Sequence, residues 1–342
     1  MNAPRLLIVL AGAVLATAAS AAAPKRASVR KPAATPKKVV AAAPVQTAYR
    51  RSPYVGAISV NAETGEVIFE ANADQPAYPA SVTKLMTLLL VMEDVKAGKY
   101  GFDDKVEATA DAYKSEPSWV GIKVGEKMSV RDLCTALMVE SANDAAIVLG
   151  VHSAGSFDAF IARMNARAAE LGMKNTKYFN PNGLPPNASK RYPWKNFNVS
   201  TARDQMILAR QLVKMPEVLA LTSVKTCDLI KTADGFRTSV TRRTNEQPRV
   251  TEVANGERIV KQLTNHNNVM RTEKLKIVNS DGKEAVDGLK TGYIDAGGSS
   301  IVLTGCRKGR RAIVVVLGSA SSKERDAEAR HLLSDALGAL AW

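Results

Sequence analysis

Pro79-Ala80-Ser81-Val82-Thr83-Lys84-Leu85-Met86-Thr87 opens the first long helical pattern of the chain and sets a hydroxyl and an amine three residues apart. On a helix that spacing brings both side chains to one face, within reach of each other. The amine acts as a base only when neutral, and partial burial and the positive end of the helix dipole both favour the neutral form. The same spacing occurs in Ser28 with Lys31 and in Ser280 with Lys283 beside Gly282, and neither pair has a helix to hold it. For any one such word the ordinary alternative is a helix cap followed by a surface lysine.

The surroundings of Ser81 set it apart. Upstream, residues 55–60 alternate as a strand, 63–65 turn and 67–69 return, which reads as a hairpin. Downstream, helical periodicity runs over 81–96, 129–138, 144–152, 156–171 and 201–214, mostly opened by Ser, Thr or Asp in capping positions. Residues 234–258 are polar and loop-rich, strand character returns at 299–304 and 312–317, and a last helix covers 322–340. Strands at both ends of the chain around a helical middle predict an α/β (α+β) fold. Its central, mostly antiparallel sheet is formed by both chain ends and packed with helices, with an all-α region between. No repeat period is visible.

The 342 residues are 46% hydrophobic, 23% charged and only 5% aromatic, which fits a globular protein with one or two cores and excludes pervasive disorder, collagen and a disulfide-knit mini-protein. The formal charge of +14 is uneven: residues 1–62 hold nine Lys or Arg and no acid, leaving 38 basic against 33 acidic groups in the rest. A nearly balanced body with a basic tail argues against a nucleic-acid-binding face. Arg5 precedes an apolar run over 6–16 that leads into Ala19, Ser20 and Ala21, the layout of a secretory leader cut after Ala21. Pro24 disfavours a cut after Ala23, and the run is shorter than the about 20 residues a membrane span requires. The expected organisation is a leader over 1–21, a disordered basic linker of Ala, Pro, Lys and Arg over 22–51, and a folded domain over 52–342 working beyond the inner membrane. An electrostatic tether to anionic lipid or wall polymer is the functional alternative to a plain linker.

Three cysteines leave at least one thiol unpaired. Cys134 lies in the apolar stretch 133–139 and reads as a small core residue, while a pairing of Cys227 with Cys306 stays open, so no disulfide is expected. His152, His266 and His331 are far apart, and without HExxH or a Cys/His cluster no metal or other cofactor is implied.

Two further words carry chemistry. Ser141-Ala142-Asn143 falls at a break between two helical patterns, where short polar side chains can turn inward, although an N-cap would look the same. A second such word, Ser59-Val60-Asn61, reads as turn chemistry at a strand end. Lys290-Thr291-Gly292 follows Val286-Asp287-Gly288-Leu289 just before a strand, and Gly292 would let a substrate backbone approach. The ordered set of SxxK at 81, SxN at 141 and KTG at 290 is the signature of penicillin-binding proteins and class A β-lactamases. With Asn180-Pro181-Asn182-Gly183-Leu184, Ser200-Thr201-Ala202-Arg203-Asp204 and 286–293, the chain resembles the serine D-alanyl-D-alanine carboxypeptidases, the low-molecular-mass penicillin-binding proteins, over residues 52–342.

That resemblance implies a β-lactamase/transpeptidase-like fold and a cell-wall enzyme that forms an acyl-enzyme on peptidoglycan stem peptides and is inhibited covalently by β-lactams. Ser81 would be the nucleophile and Lys84 its base, with Ser141 and Asn143 completing the network. Asn143 would also hold the substrate amide, while Ser141 and Lys290 would relay a proton to the leaving amine. The backbone N–H groups of Ser81 and Tyr293 would form the oxyanion hole, and Lys290, Thr291 and Gly292 would receive the substrate's end. Arg325, in Lys323-Glu324-Arg325, would assist at the carboxylate unless it is a solvated helix residue. Many family members continue into a β-rich domain and an anchoring helix. Only 50 residues follow Gly292 here, so the expectation is a single-domain member, some of which are endopeptidases cutting D-Ala to diaminopimelate cross-links. A β-lactamase would need a carboxylate to activate the deacylating water, and the nearest candidate, Glu170-Leu171-Gly172-Met173, ends a helical pattern. A non-catalytic peptidoglycan-binding protein would have lost part of the three words, and all are intact.

Overall fold

A five-stranded antiparallel sheet in the order β2-β1-β10-β9-β8 joins the two ends of the folded chain. Its strands are β1 (Gly56–Asn61), β2 (Val67–Ala71), β8 (Val286–Ile294), β9 (Gly298–Arg307) and β10 (Arg310–Ser319). The computed structural model describes residues 53–112, 115–188, 194–240, 256–272, 277 and 285–340, all within the unit Pro44–Trp342. The leader over 1–21, the basic linker over 22–51 and the Ser280/Lys283 pair lie outside the described residues.

The central strands are apolar on both sides because both faces are covered. Along β10, Ile313, Val315 and Leu317 join the core that holds helix α1 (Lys84–Lys96), while Ala312, Val314 and Val316 face helix α8 (Ser322–Ala339) with Leu333 and Leu337. This is the two-residue alternation of a pleated strand. Helix α1 is buried nearly all round, as the middle helix of a layered core must be. Around it pack α2 (Val130–Val139), α3 (Asn143–Ala154), α4 (Phe157–Glu170) and α5 (Ala202–Leu212). Ser129, Ser156, Thr201 and Ser321 each accept the backbone N–H three residues on, so the capping signals in the sequence mark the true starts of α2, α4, α5 and α8.

Three expectations shift. The helix expected from 81 begins as a 3-10 turn, Ala80–Thr83, and becomes α-helical only at Lys84. The helical middle is interrupted by a ribbon of β3 (Lys105–Glu107) and β4 (Lys127–Ser129), and short helix α6 (Pro216–Thr222) is followed by an unforeseen second sheet. That sheet has the order β6-β5-β7, from β5 (Thr226–Lys231), β6 (Phe236–Ser239) and β7 (Arg258–Thr264), with β6 inside the stretch expected to be loop. In β7 only Ile259 and Leu263, four residues apart, are buried, so the strand shows no two-residue period. The three cysteines are free, Cys134 fully within the core.

One buried charge ties three helical segments together. Asp94 on α1 is 1% exposed and accepts Arg163 Nη1 and Nη2 at 2.6 Å each, Ser153 Oγ at 2.5 Å and Lys99 Nζ at 2.6 Å. Burial pushes its carboxyl up, yet the bonds from Arg163, Lys99 and Ser153 outweigh that and hold it well below the usual carboxylate range. The stabilisation is therefore present above the unfolded carboxylate pKa and lost as pH falls. Asp94→Asn, which leaves the half-buried Arg163 without its carboxylate, is expected to cost about 1 to 3 kcal/mol in urea unfolding at neutral pH. The gap to wild type should close in acid, and a gap independent of pH would assign the loss to packing.

Candidate active site

Ser81 stands on a turn whose backbone two other segments approach closely. Ala80 has a left-handed φ of 49°, a strained conformation for a residue with a side chain. Gly183, at φ 84°, leans on that turn: a Cβ there would lie 1.8 Å from the Ala80 carbonyl oxygen. From the other side a Cβ on Gly292 would lie 2.6 Å from the Pro79 oxygen and 3.0 Å from the Ser81 nitrogen. Both glycines are required because backbone meets backbone at the Ser81 turn. The Lys290-Thr291-Gly292 word thus lies inside edge strand β8, a correction to its expected place just ahead of a strand.

Lys84 is fully buried beneath Ser81. Its Nζ lies 2.9 Å from Ser81 Oγ, 2.7 Å from Asn143 Oδ1 and 2.7 Å from the Asn182 carbonyl oxygen. A neutral amine has two N–H donors and one lone pair. With Asn143 and Asn182 taking both donors, the lone pair is left for the Ser81 hydroxyl. Burial, then the Lys290 charge, hold Lys84 well below the ordinary lysine value, with a smaller opposing pull from Asp144.

Each acceptor is fixed in turn. Asn143 opens α3, donates Nδ2 to the Glu116 carbonyl at 2.7 Å and its backbone N–H to the Ser118 carbonyl at 2.8 Å. The next residue, buried Asp144, accepts the backbone N–H groups of Val120, Gly121 and Ile122, so the 116–122 loop is laced to the start of α3. The Asn182 carbonyl is held by its own loop: Asn180 Oδ1 accepts Gly183 N–H at 2.6 Å, and Asn198 Nδ2 reaches Thr83 Oγ1 at 3.0 Å. Ser141 sits between α2 and α3 at a left-handed φ of 63°, preceded by Glu140, which pairs with Lys261 of β7.

A cavity of about 440 Å³ opens above this network. Of the sequence-predicted residues, Ser81, Ser141, Asn143, Thr291, Gly292, Tyr293 and Arg325 line it, while Lys84 and Lys290 lie buried behind the wall. Lys290 donates to the Thr291 carbonyl at 3.1 Å, and burial followed by the Arg325 charge lowers it to about 7 against a pull from Glu140. Arg325 is 4% exposed, which rules out the solvated-helix alternative. Sequence reasoning did not single out Asn182, whose part is played by a backbone carbonyl, nor His266, Asn268 and Ser118 on the rim. A residue-type signal exists only for His266, a histidine inside a run of asparagines. No Asp or Glu lines the cavity among the described residues. Glu170 is surface-exposed and paired with Arg167 at 3.0 Å.

The architecture is that of the penicillin-binding protein and β-lactamase-like fold, with a serine and a buried lysine at its centre. A family model described as D-alanyl-D-alanine carboxypeptidase, peptidase S11, matches residues 54–247, and the chain belongs to that family. The carboxypeptidase DacF of Bacillus subtilis is 28% identical over 277 residues, 81% of this chain and 60% of its own length, so the chain spans about three fifths of that relative. A D-alanyl-D-alanine endopeptidase of Pseudomonas aeruginosa is 35% identical over 158 residues, 46% of each chain. Among solved structures, the carboxypeptidase DacD of Francisella tularensis superposes with TM-score 0.69 at 29% identity, covering 85% of this chain and 71% of its own. Penicillin-binding protein D2 of Listeria monocytogenes in its cefotaxime-bound form gives TM-score 0.60 at 28% identity, covering 82% and 95%.

The two buried amines are expected to be visible in a lysine-labelled NMR titration. One resonance should titrate at about 7 and vanish in Lys290→Ala, and a second, well below the ordinary lysine value, should vanish in Lys84→Ala. In Lys290→Ala the Lys84 resonance should move up, because a like charge has been removed. Ordinary titration of both amines would contradict the site's electrostatics.

Proposed function

We propose that the chain is a serine-type D-Ala-D-Ala carboxypeptidase acting on peptidoglycan stem peptides through an acyl-enzyme, and that penicillins acylate it. The observation that carries this reading is the Lys84 amine, whose other two partners leave its lone pair for Ser81 Oγ at 2.9 Å. Ser81 attacks the penultimate D-Ala carbonyl as Lys84 takes its proton. The backbone N–H groups of Ser81 and Tyr293 meet the charge developing on the carbonyl oxygen, a role supported by the approach of β8 to the Ser81 turn. Asn143 holds the substrate amide, and Ser141 with Lys290 passes a proton to the leaving amine. Lys290, Thr291 and Arg325 take the terminal carboxylate, and water releases the acyl group.

Cleavage of D-Ala to diaminopimelate cross-links is the second reading, favoured by the likeness to the Pseudomonas endopeptidase. Its leaving D-centre carries an equivalent carboxylate, so the clamp accepts both substrates and trimming is placed ahead on the carboxypeptidase relatives. The leader-like residues 1–21 and the basic stretch 22–51 support a reading of export and of work in the periplasm or at the wall.

Intact-mass spectrometry should show one penicillin adduct on the wild type and none on Ser81→Ala; an adduct on that variant would remove Ser81 from the chemistry. The rate should rise with pH as Lys84 loses its proton and fall as Lys290 loses its charge at about 7. Lys84→Arg should be nearly inactive, because guanidinium does not deprotonate in this range. Amidating the carboxylate of a D-Ala-D-Ala peptide is expected to cost about 2 to 5 kcal/mol in transition-state binding, since buried cations lose their partner. Cleavage of dimeric muropeptides without release of D-Ala from pentapeptides would reverse the order of the two readings.

A further inference from the structure

Arg325 and Asp326 are consecutive near the start of α8, and both are buried, at 4% and 3% exposure. Two buried, opposite charges side by side on one helix turn are not explained by folding alone, because an apolar pair would fill the space without desolvating ions. Their hydrogen bonds are directional. Arg325 Nε and Nη2 both donate to Asp326 Oδ1, at 2.8 and 2.6 Å, and Asn268 Nδ2 donates to Asp326 Oδ2 at 3.1 Å. Asn268 in turn accepts Arg271 Nη2 at 2.8 Å through its own Oδ1, so the carboxylate is braced by α7 (Asn268–Arg271) as well as by its neighbour. The Nη1 side of the guanidinium makes no hydrogen bond among the described residues and is not sealed from solvent, and Arg325 forms part of the cavity wall.

We propose that Asp326 is a positioning residue for the substrate carboxylate: it occupies the Nε edge of Arg325 and thereby presents the Nη1 edge to the cavity beside Lys290. This rests on the carboxypeptidase reading above and deepens it. A guanidinium offers two edges that can meet a carboxylate in a fork. With the Nε edge and one rotamer fixed by Asp326, the open edge is oriented before substrate arrives, so less ordering is required on binding. The second contribution is charge. Arg325 and Lys290 repel each other, and the Asp326 carboxylate offsets part of that repulsion at a place the substrate does not reach. Asn268 supports the arrangement from outside the helix, coupling the cavity rim to the clamp. Asp326 itself does not line the cavity, so it acts through Arg325.

The test is a double-mutant cycle on two peptides ending in D-Ala-D-Ala, one with the free carboxylate and one amidated. Active sites are counted by stoichiometric penicillin labelling, so that misfolded protein does not enter the rates. Asp326→Asn is expected to raise KM for the free peptide about tenfold with kcat nearly unchanged, while turnover of the amidated peptide stays at its low wild-type level. In the Arg325→Ala background the same change should have no further effect on KM, since the group it positions is gone. The double variant also removes both buried charges together, so it stays measurable if Asp326→Asn alone folds poorly. Equal losses on the two peptides, or an undiminished Asp326→Asn effect in the Arg325→Ala background, would assign Asp326 a structural role and overturn the proposal. An unchanged KM in Asp326→Asn would overturn it as well. If folded wild-type protein cleaves neither peptide, the carboxypeptidase reading falls and this inference with it.

Discussion

A lysine amine sealed from water, with no carboxylate paired to it among the described residues, is the constraint on which the rest of the site depends. Lys84 sits in the first position of α1, at the centre of the helical layer, and among the described residues its amine bonds one hydroxyl and two carbonyl-type oxygens. A charge kept there would be penalised by its own desolvation, and the chain answers by placing a second buried cation, Lys290, on the facing strand, which increases the penalty. Three remote segments must then converge to supply the oxygens. The 3-10 turn, the start of α3 and the 180–184 loop are each locked by further hydrogen bonds that do not involve the lysine. The geometry of the site is thus a by-product of satisfying one buried nitrogen, and the glycines at 183 and 292 are the places where that convergence leaves no room for a side chain.

Most of this was readable in the residues. The hairpin was marked by alternation and a turn, and helix starts by Ser129, Ser156 and Thr201, with the last helix expected from 322, one residue past its cap, because a cap is a local interaction whose partners are three residues apart. The order of the three words placed Ser81, Ser141 and Asn143 on one cavity wall, with Lys290 buried behind it. The missed parts share a physical reason. Asn182 contributes a main-chain oxygen, which every residue possesses, so its side chain carries no sign of the role. Arg325 was singled out only by resemblance, with a solvated helix residue as its alternative, because nothing in its local sequence signals burial: Asn268, which bonds its neighbour Asp326, lies more than fifty residues away. The β5–β7 sheet was overlooked because its strands are short and carry charges, among them Lys231 and Lys261, that leave the sheet to pair with Glu126 and Glu140.

The two outer strands of the main sheet solve one problem in opposite ways. An edge strand presents unpaired N–H and C=O groups and invites any other extended chain to join it. At one end β2 is only five residues long and places Glu70 against Arg203, so a foreign strand would have to displace an ion pair at its centre. At the other end β8 is nine residues long and keeps its edge open along Lys290-Thr291-Gly292, yet the 116–122 loop and the start of α3 stand across a narrow cavity from it. A facing wall across the cavity hinders the approach of a broad sheet more than that of a single extended backbone. The wall that shapes the cavity is therefore also a guard against aggregation: loosening its anchor at Asp144 would open a ready template for edge-to-edge association as well as blur a binding site.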